Sequence, residues 1–400
     1  MTPPDDASDD PAPGASAGFA QLVSTLQAAP EPRKRRRREA CADAGPAPPP
    51  ASSDEQLARA EVCSRSGGID EAVAICTALR PTLVDEGDPQ RTGWCDFILS
   101  LSHLNAGRAK ESVVTGYRAV GLLGHGPRLL RSLVILACSV ARIGDAAGAL
   151  ELLDRARRIL PDVADSPRDR CLFWLNSGGA YHALGDVAQA VRHSTLAEGL
   201  LDEFDDQHLH SVVRMNLLVQ RLVLAVADCR GVETPELAEL LAAFHSRIDH
   251  LVAAGHHFPV AKGTEDIADA YIALGRHDKA RDALLVGVRS ADAVKAGPDR
   301  GILEIRLARI ERLAGQYRRA SAHISLALEL LAEGELLKDL ADAHLENCLL
   351  HEERQHCRAA LDSYRLFAQL RERLLVAQSD ARAHALTTRY EFELARLRGH

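Results

Sequence analysis

The chain has 400 residues with a formal net charge of −8, and its hydrophobic share of 46% contains little aromatic material, 4% of the chain. Apolar mass made of Ala, Leu and Val suits closely packed helices more than a β-sandwich, and the acidic balance gives no general reason to expect a nucleic-acid partner. Nine scattered cysteines with no C-x-x-C spacing argue against a disulfide framework and a structural zinc site. The acidic N-terminus does not fit a signal peptide and no run approaches eighteen consecutive apolar residues, so the expected location is cytoplasmic, away from a membrane.

Residues 1–54 are rich in Pro, Ala, Asp and Ser and hold too few large apolar groups to offset the entropy of ordering, so a disordered tail is expected. Two islands interrupt it. Phe19, Leu22, Val23 and Leu26 fall at i, i+3, i+4, i+7, a short apolar helix face that needs a partner surface; a chance pattern in a tail is the alternative. Arg33 to Arg38 are basic, with Lys34 among five arginines, and could meet a phosphate backbone or an acidic surface. No aromatic is interleaved there for base stacking, and Glu31 and Glu39 flank the run, which favours a solvated charge run. The tail's "GASAG", Gly14 to Gly18, matches the G-x-S-x-G nucleophile elbow in letters only, because no strand precedes it.

From residue 55 a pattern recurs: a Gly, a few polar residues, then a small residue at Ala72, Ser112, Ala149, Ala190, Ala280, Ala320 and, weakly, Ala360. The period is near 40 residues, with one degenerate copy between Ala190 and Ala280, which predicts about eight helical hairpins over residues 55–370. Gly144, Gly185, Gly275 and Gly315 are expected to end first helices in a left-handed conformation, and the following Ala to let two helix axes approach. In "WLNSGGAYHALGDVAQA", Trp174, Gly178 and Tyr181 share one face of a first helix, with Gly178 at a close crossing. Residues 208–254 match the scheme poorly. From Tyr364 to Arg398 there is no Pro or Gly, so one long helix is expected, with residues 371–400 as its extension. Leu386, Tyr390, Leu394 and Leu397 form an apolar stripe near its end, which predicts self-association or a hetero-complex through residues 380–398, against a fraying or folded-back end.

The copy from Trp174 to Ala197, the second in "ADAYIALGRHDKA" (Ala268, Tyr271, Gly275, Ala280), and Pro161 at the end of "AAGALELLDRARRILP" resemble the tetratricopeptide repeat family. The resemblance implies an all-α, TPR-like superhelical solenoid whose concave face binds a protein or peptide. Its period, longer than usual, looks like that of repeats in bacterial signalling and transcriptional regulators. The C-terminal "RERLL" and "RYEFELAR" are similar to the helix that leads into the catalytic domain of diguanylate cyclases; no output domain follows here, so no cyclase activity is implied.

On this register the residues one past the small crossing position, Cys138, Gly179, Asp269 and Arg309, and those about a turn further, Arg142, His182, Ile272 and Arg312, are expected to face the groove. His344, Cys348 and His351 share a helix face at a spacing that could collect a metal, but they occupy the packing register of Trp174, Gly178 and Tyr181, so packing is the expectation. "HEERQH" fails H-E-x-x-H because Gln355 stands where the second His belongs, His256 and His257 fit an interhairpin turn, and no phosphate-binding Gly loop occurs. The expectation is therefore no enzyme, no metal and no cofactor, but an interaction scaffold. A regulatory sensor signalling through the C-terminal helix is the alternative, and nucleic-acid binding through the basic run is a third reading.

Overall fold

A computed structural model describes residues 52–66, 68–163, 166–229, 231–294, 296–332 and 336–398. The tail motifs at Gly14 to Gly18, Phe19 to Leu26 and Arg33 to Arg38 lie outside them.

Helix starts follow from local chemistry. Asp88 accepts backbone N–H bonds from Gln90 and Arg91 at 3.0 Å, and Ser166, Asp186, Asp206 and Thr234 cap their helices in the same way. Pro89, Pro127, Pro167 and Pro235 occupy first-turn positions, where a missing N–H costs nothing. The ends are equally local: Gly144, Gly185, Gly275 and Gly315 take φ of +79°, +83°, +68° and +71°. The residue after each, for example Arg276 to Tyr271 at 2.8 Å, donates its N–H to the carbonyl five residues back, which closes the helix. In the last hairpin Gln355 holds this left-handed place with φ +58°.

The described residues form sixteen α-helices and no strand. They are α1 Ser53–Ser66, α2 Ile69–Asp85, α3 Pro89–Asn105, α4 Ala109–Leu122, α5 Pro127–Arg142, α6 Ala146–Val163, α7 Pro167–Ala183 and α8 Val187–Glu198. After a 3₁₀ turn at Leu201–Glu203 come α9 Gln207–Asp228, α10 Pro235–Ala253, α11 His257–Ala273, α12 His277–Ala293, α13 Gly297–Leu313, α14 Tyr317–Leu331, α15 Leu337–Glu353 and α16 Cys357–Arg398. Consecutive pairs pack as eight hairpins, α1 with α2 through α15 with α16.

Which layer is inside follows from who touches whom. Successive first helices, such as α1 and α3, α5 and α7, α11 and α13, and α13 and α15, contact one another, whereas successive second helices do not make comparable contact. The first helices therefore line the inside of the curve and the second helices its outside, the geometry of a TPR-like solenoid.

The anchors Ala72, Ser112, Ala149, Ala190, Ala280 and Ala320 are fully buried. Trp174 and Tyr181 both turn an edge to His193 of α8, with centroids 5.1 and 4.8 Å apart, so this face meets the partner helix as its spacing requires.

Pro161 lies within the last turn of α6, which ends at Val163. The poorly matching segment forms the degenerate hairpin expected between Ala190 and Ala280, with a longer first helix of 22 residues. That helix also holds Leu209–Asp228, a stretch long and apolar enough to cross a membrane by length and composition. Here its Val212, Val213, Met215, Leu217, Val219 and Leu222 are buried, and it packs on α8, α10 and α11.

The long C-terminal helix is α16, and it also comprises the second helix of the last hairpin. It packs against α15 and touches α4 of the second hairpin, so it bridges distant turns of the solenoid.

Candidate functional site

Side chains of one inner helix repeatedly reach the next, about one period along the chain. Arg131 on α5 donates to Asp169 on α7 at 2.7 Å, and Arg168 on α7 to Asp206, the cap of α9, at 3.0 Å. Arg306 on α13 clasps Asp269 on α11 with two bonds of 3.1 and 3.0 Å and lies 3.5 Å from Glu265. Arg312 on α13 donates to Glu346 on α15 at 2.9 Å and also to Glu353. A separation near the repeat length sets equivalent turns of neighbouring helices side by side, and an Arg is long enough to span that gap. Burial works against the charge on Arg306, but Asp269 and Glu265 outweigh it and hold the guanidinium pKa above its ordinary value.

The residues expected in the groove divide between two environments. Cys138, Gly179 and His182 are buried, and Arg142 is half-buried and donates to the Leu104 carbonyl at 2.7 Å. Cys138 Sγ likewise donates to the Asn176 carbonyl at 3.3 Å. These four do not line an open groove. One residue past the crossing, the helix surface already turns toward the adjacent first helix, and in this part of the solenoid α5 and α7 pack directly on each other. In the C-terminal third Arg312 is buried, Asp269 and Ile272 are half-buried and Arg309 is exposed. The structure joins Arg306 to Asp269 and Glu265, and Arg309 and Arg312 to Glu346, two ion-pair groups along α13 with Glu265, Arg312 and Glu346 buried.

Sequence reasoning missed a cleft beside the inner helices. A cleft of about 490 Å³ is lined by Glu61 of α1, Gln90 and Trp94 of α3, the loop Gly124–His125–Gly126, and Pro127, Arg128 and Arg131 of α5. Trp94 stacks on Phe97 with centroids 4.4 Å apart, and the exposed Arg128 lies over its ring, 5.0 Å from the centroid. Arg131 is already turned toward Asp169, so Arg128 is the more available cation. The signal was present: Trp94 lies two periods before Trp174, but its neighbours lack the Gly-Gly that made the later copy conspicuous.

His182 supplies a pH test of the packing. Burial lowers its pKa to about 4 from the ordinary 6.5, so the folded chain keeps it neutral. Because the unfolded chain binds this proton first, the contribution is complete above pH 6.5 and declines as pH falls toward 4. Urea denaturation of the wild-type chain should show a loss on the order of 1–2 kcal/mol from this group between pH 7 and pH 5. In a His182→Phe variant that slope should be reduced; an identical slope would contradict a buried neutral imidazole.

Among the described residues no three His, Cys, Asp or Glu side chains gather as a metal site. Burial lowers the pKa of His344 and of His351, which are half-buried on α15. On α16, Leu386 and Tyr390 are exposed; Leu394 and Leu397 lie on the same helix, with their side chains outside the description.

Stacked hairpins, an inner layer of first helices and a polar inner face define a TPR-like helical repeat protein. No family model and no curated protein matches the chain. Solved structures do. The STAND signal-transduction ATPase with a tetratricopeptide repeat sensor, PH0952 from Pyrococcus horikoshii, is similar over 82% of this chain and 50% of its own, with a TM-score of 0.56 and 10% identity. The Rap protein complexed with Competence and Sporulation Factor gives 0.52 and 13% identity, covering 82% of this chain and 99% of that one. The IFIT1 monomeric mutant with Gppp-AAAA gives 0.50 and 13%, covering 80% and 72%. At these identities the likeness is one of fold.

Proposed function

We propose that this chain is a non-enzymatic, TPR-like binding module whose inner face holds an extended segment of a protein or peptide. The cleft at Trp94 is its anchor point. The carrying observation is that three consecutive inner helices converge there on an aromatic floor with an exposed cation, Arg128, stacked over it. An apolar side chain can enter the cleft beside Arg128, whose guanidinium covers the buried Trp94 ring, while a carboxylate, from an acidic residue or a chain end, meets that guanidinium. Further along, the Asp269, Arg306 and Arg309 surface offers alternating charges to the same segment.

The similar folds support a binding role without choosing its chemistry, since one is described with Competence and Sporulation Factor and another with Gppp-AAAA. The choice rests on this chain's own side chains: its inner face mixes Asp and Glu with Arg, which opposes a polyanion along its length. The nucleic-acid reading would depend on Arg33 to Arg38, outside the described residues. A sensor reading, in which occupancy is reported along α16, is favoured by one observation: α16 joins the last hairpin to the second. The output domain of a cyclase-type protein is not part of that reading.

Selection from a displayed peptide library tests the proposal. The expected winners carry an acidic residue or free C-terminus beside an apolar one, and Arg128→Glu should weaken them at least tenfold, about 1.4 kcal/mol. Peptides that bind the Arg128→Glu chain equally well, or no enrichment at all, would overturn the anchor.

A further inference from the structure

The two faces of α16 are used differently. Ser363 and Leu370 are buried and Phe367, Leu374 and Ala377 half-buried, on the side packed against α15 and α4; Asn347 Nδ2 of α15 donates to Ser363 Oγ at 3.0 Å. On the opposite side Leu361, Tyr364, Leu375, Val376, Leu386 and Tyr390 are 48% to 62% exposed. At 100° per residue these six fall within an arc of about 120°, with the small Ala368, Ser379 and Ala383 between them. The stripe is therefore about 44 Å long. Single exposed apolar residues need no explanation, but a stripe of this length on one helix does.

We propose that this outer face of α16 is a homodimer interface, in which a second copy of the chain lays its own α16 antiparallel across it. Size is one argument: two such faces together would bury on the order of 1,200 Å², enough for a specific interface. Self-complementarity is another. The stripe is centred between Leu375 and Val376, so a two-fold axis there sets Leu361 against Tyr390 of the partner subunit and Leu375 against Val376 of the partner subunit. The spacing is not a heptad repeat, which disfavours a long parallel coiled coil. Parallel pairing would also set Glu372 and Arg365, two exposed charged residues on this arc, each level with its own copy, whereas the antiparallel arrangement separates them. The interface begins some twenty residues earlier than the 380–398 segment suggested by sequence, and it leaves the inner face of both copies open.

Light scattering of the full chain, across micromolar concentrations, tests the interface. The expected mass is twice the 43.3 kDa of one chain. Leu375→Glu combined with Val376→Glu should halve it while leaving the helical circular-dichroism signal unchanged, since both positions are exposed on the single chain. Leu366→Glu, exposed on the same helix but off the stripe, should remain dimeric. A monomeric wild-type chain, a double variant that stays dimeric, or a Leu366→Glu chain that dissociates equally would overturn the proposal.

Discussion

Replacing Arg306 with Met should destabilise the chain by about 3–5 kcal/mol, the cost of leaving a buried carboxylate without its cation. Glu265 is buried on α11 with Arg306 at 3.5 Å, and Asp269 on the same helix accepts two bonds from that guanidinium. Met fills similar space, so the loss reports charge more than volume. Apart from the contact of α16 with α4, each hairpin contacts only its neighbours, so the damage should be local: hydrogen exchange should rise in α11, α13 and α15 before it rises in α3 or α5. Adding Glu265→Gln to Arg306→Met should return a large part of the loss, because it removes the stranded charge. Denaturation within about 0.5 kcal/mol of wild type for Arg306→Met would show that the inter-hairpin pairs are ordinary surface ion pairs.

Gly178→Leu should cost about 1–3 kcal/mol by overpacking, and its site makes the upper part of that range the expected one. A Cβ at Gly178 would stand 2.7 Å from Ser194 Oγ and 3.1 Å from the Ala190 carbonyl oxygen of α8. A hydroxyl can rotate away; a helix backbone cannot, so α7 and α8 must separate. Thermal unfolding should fall by several degrees, and Ser194→Gly should rescue a Gly178→Ala chain only in part because Ala190 remains. Unchanged unfolding of Gly178→Leu would contradict the close crossing of these helices.

Local chemistry explains why so much of the fold was readable. A Gly that must adopt positive φ, a capping Asp or Ser, and a small residue at each helix crossing act within a few residues of themselves, so the hairpin leaves its mark at each period. Gly275 and Ala280 could be assigned from their neighbours alone, and the structure sets Gly275 at φ +68° and Ala280 in full burial. Where the local signal faded, in residues 208–254, tertiary packing still made a hairpin: the apolar residues of α9 found partners in α8, α10 and α11 without the usual Gly and Ala.

The direction in which an inner residue points is a property of two helices at once. The register predicted Cys138, Arg142, Gly179 and His182 to be open, but how closely α5 and α7 approach determines whether a helix face meets solvent or a neighbour. The Trp94 cleft likewise exists because α1, α3 and α5 converge, from residues as far apart as Glu61 and Arg131. By itself, then, the sequence determined an all-helical repeat, its period, its hairpin count and its long final helix, because each depends on contacts between near neighbours in the chain. Tertiary structure alone decided which layer is concave, which polar side chains pair across hairpins and which face of α16 stays uncovered, because those depend on how the hairpins stack.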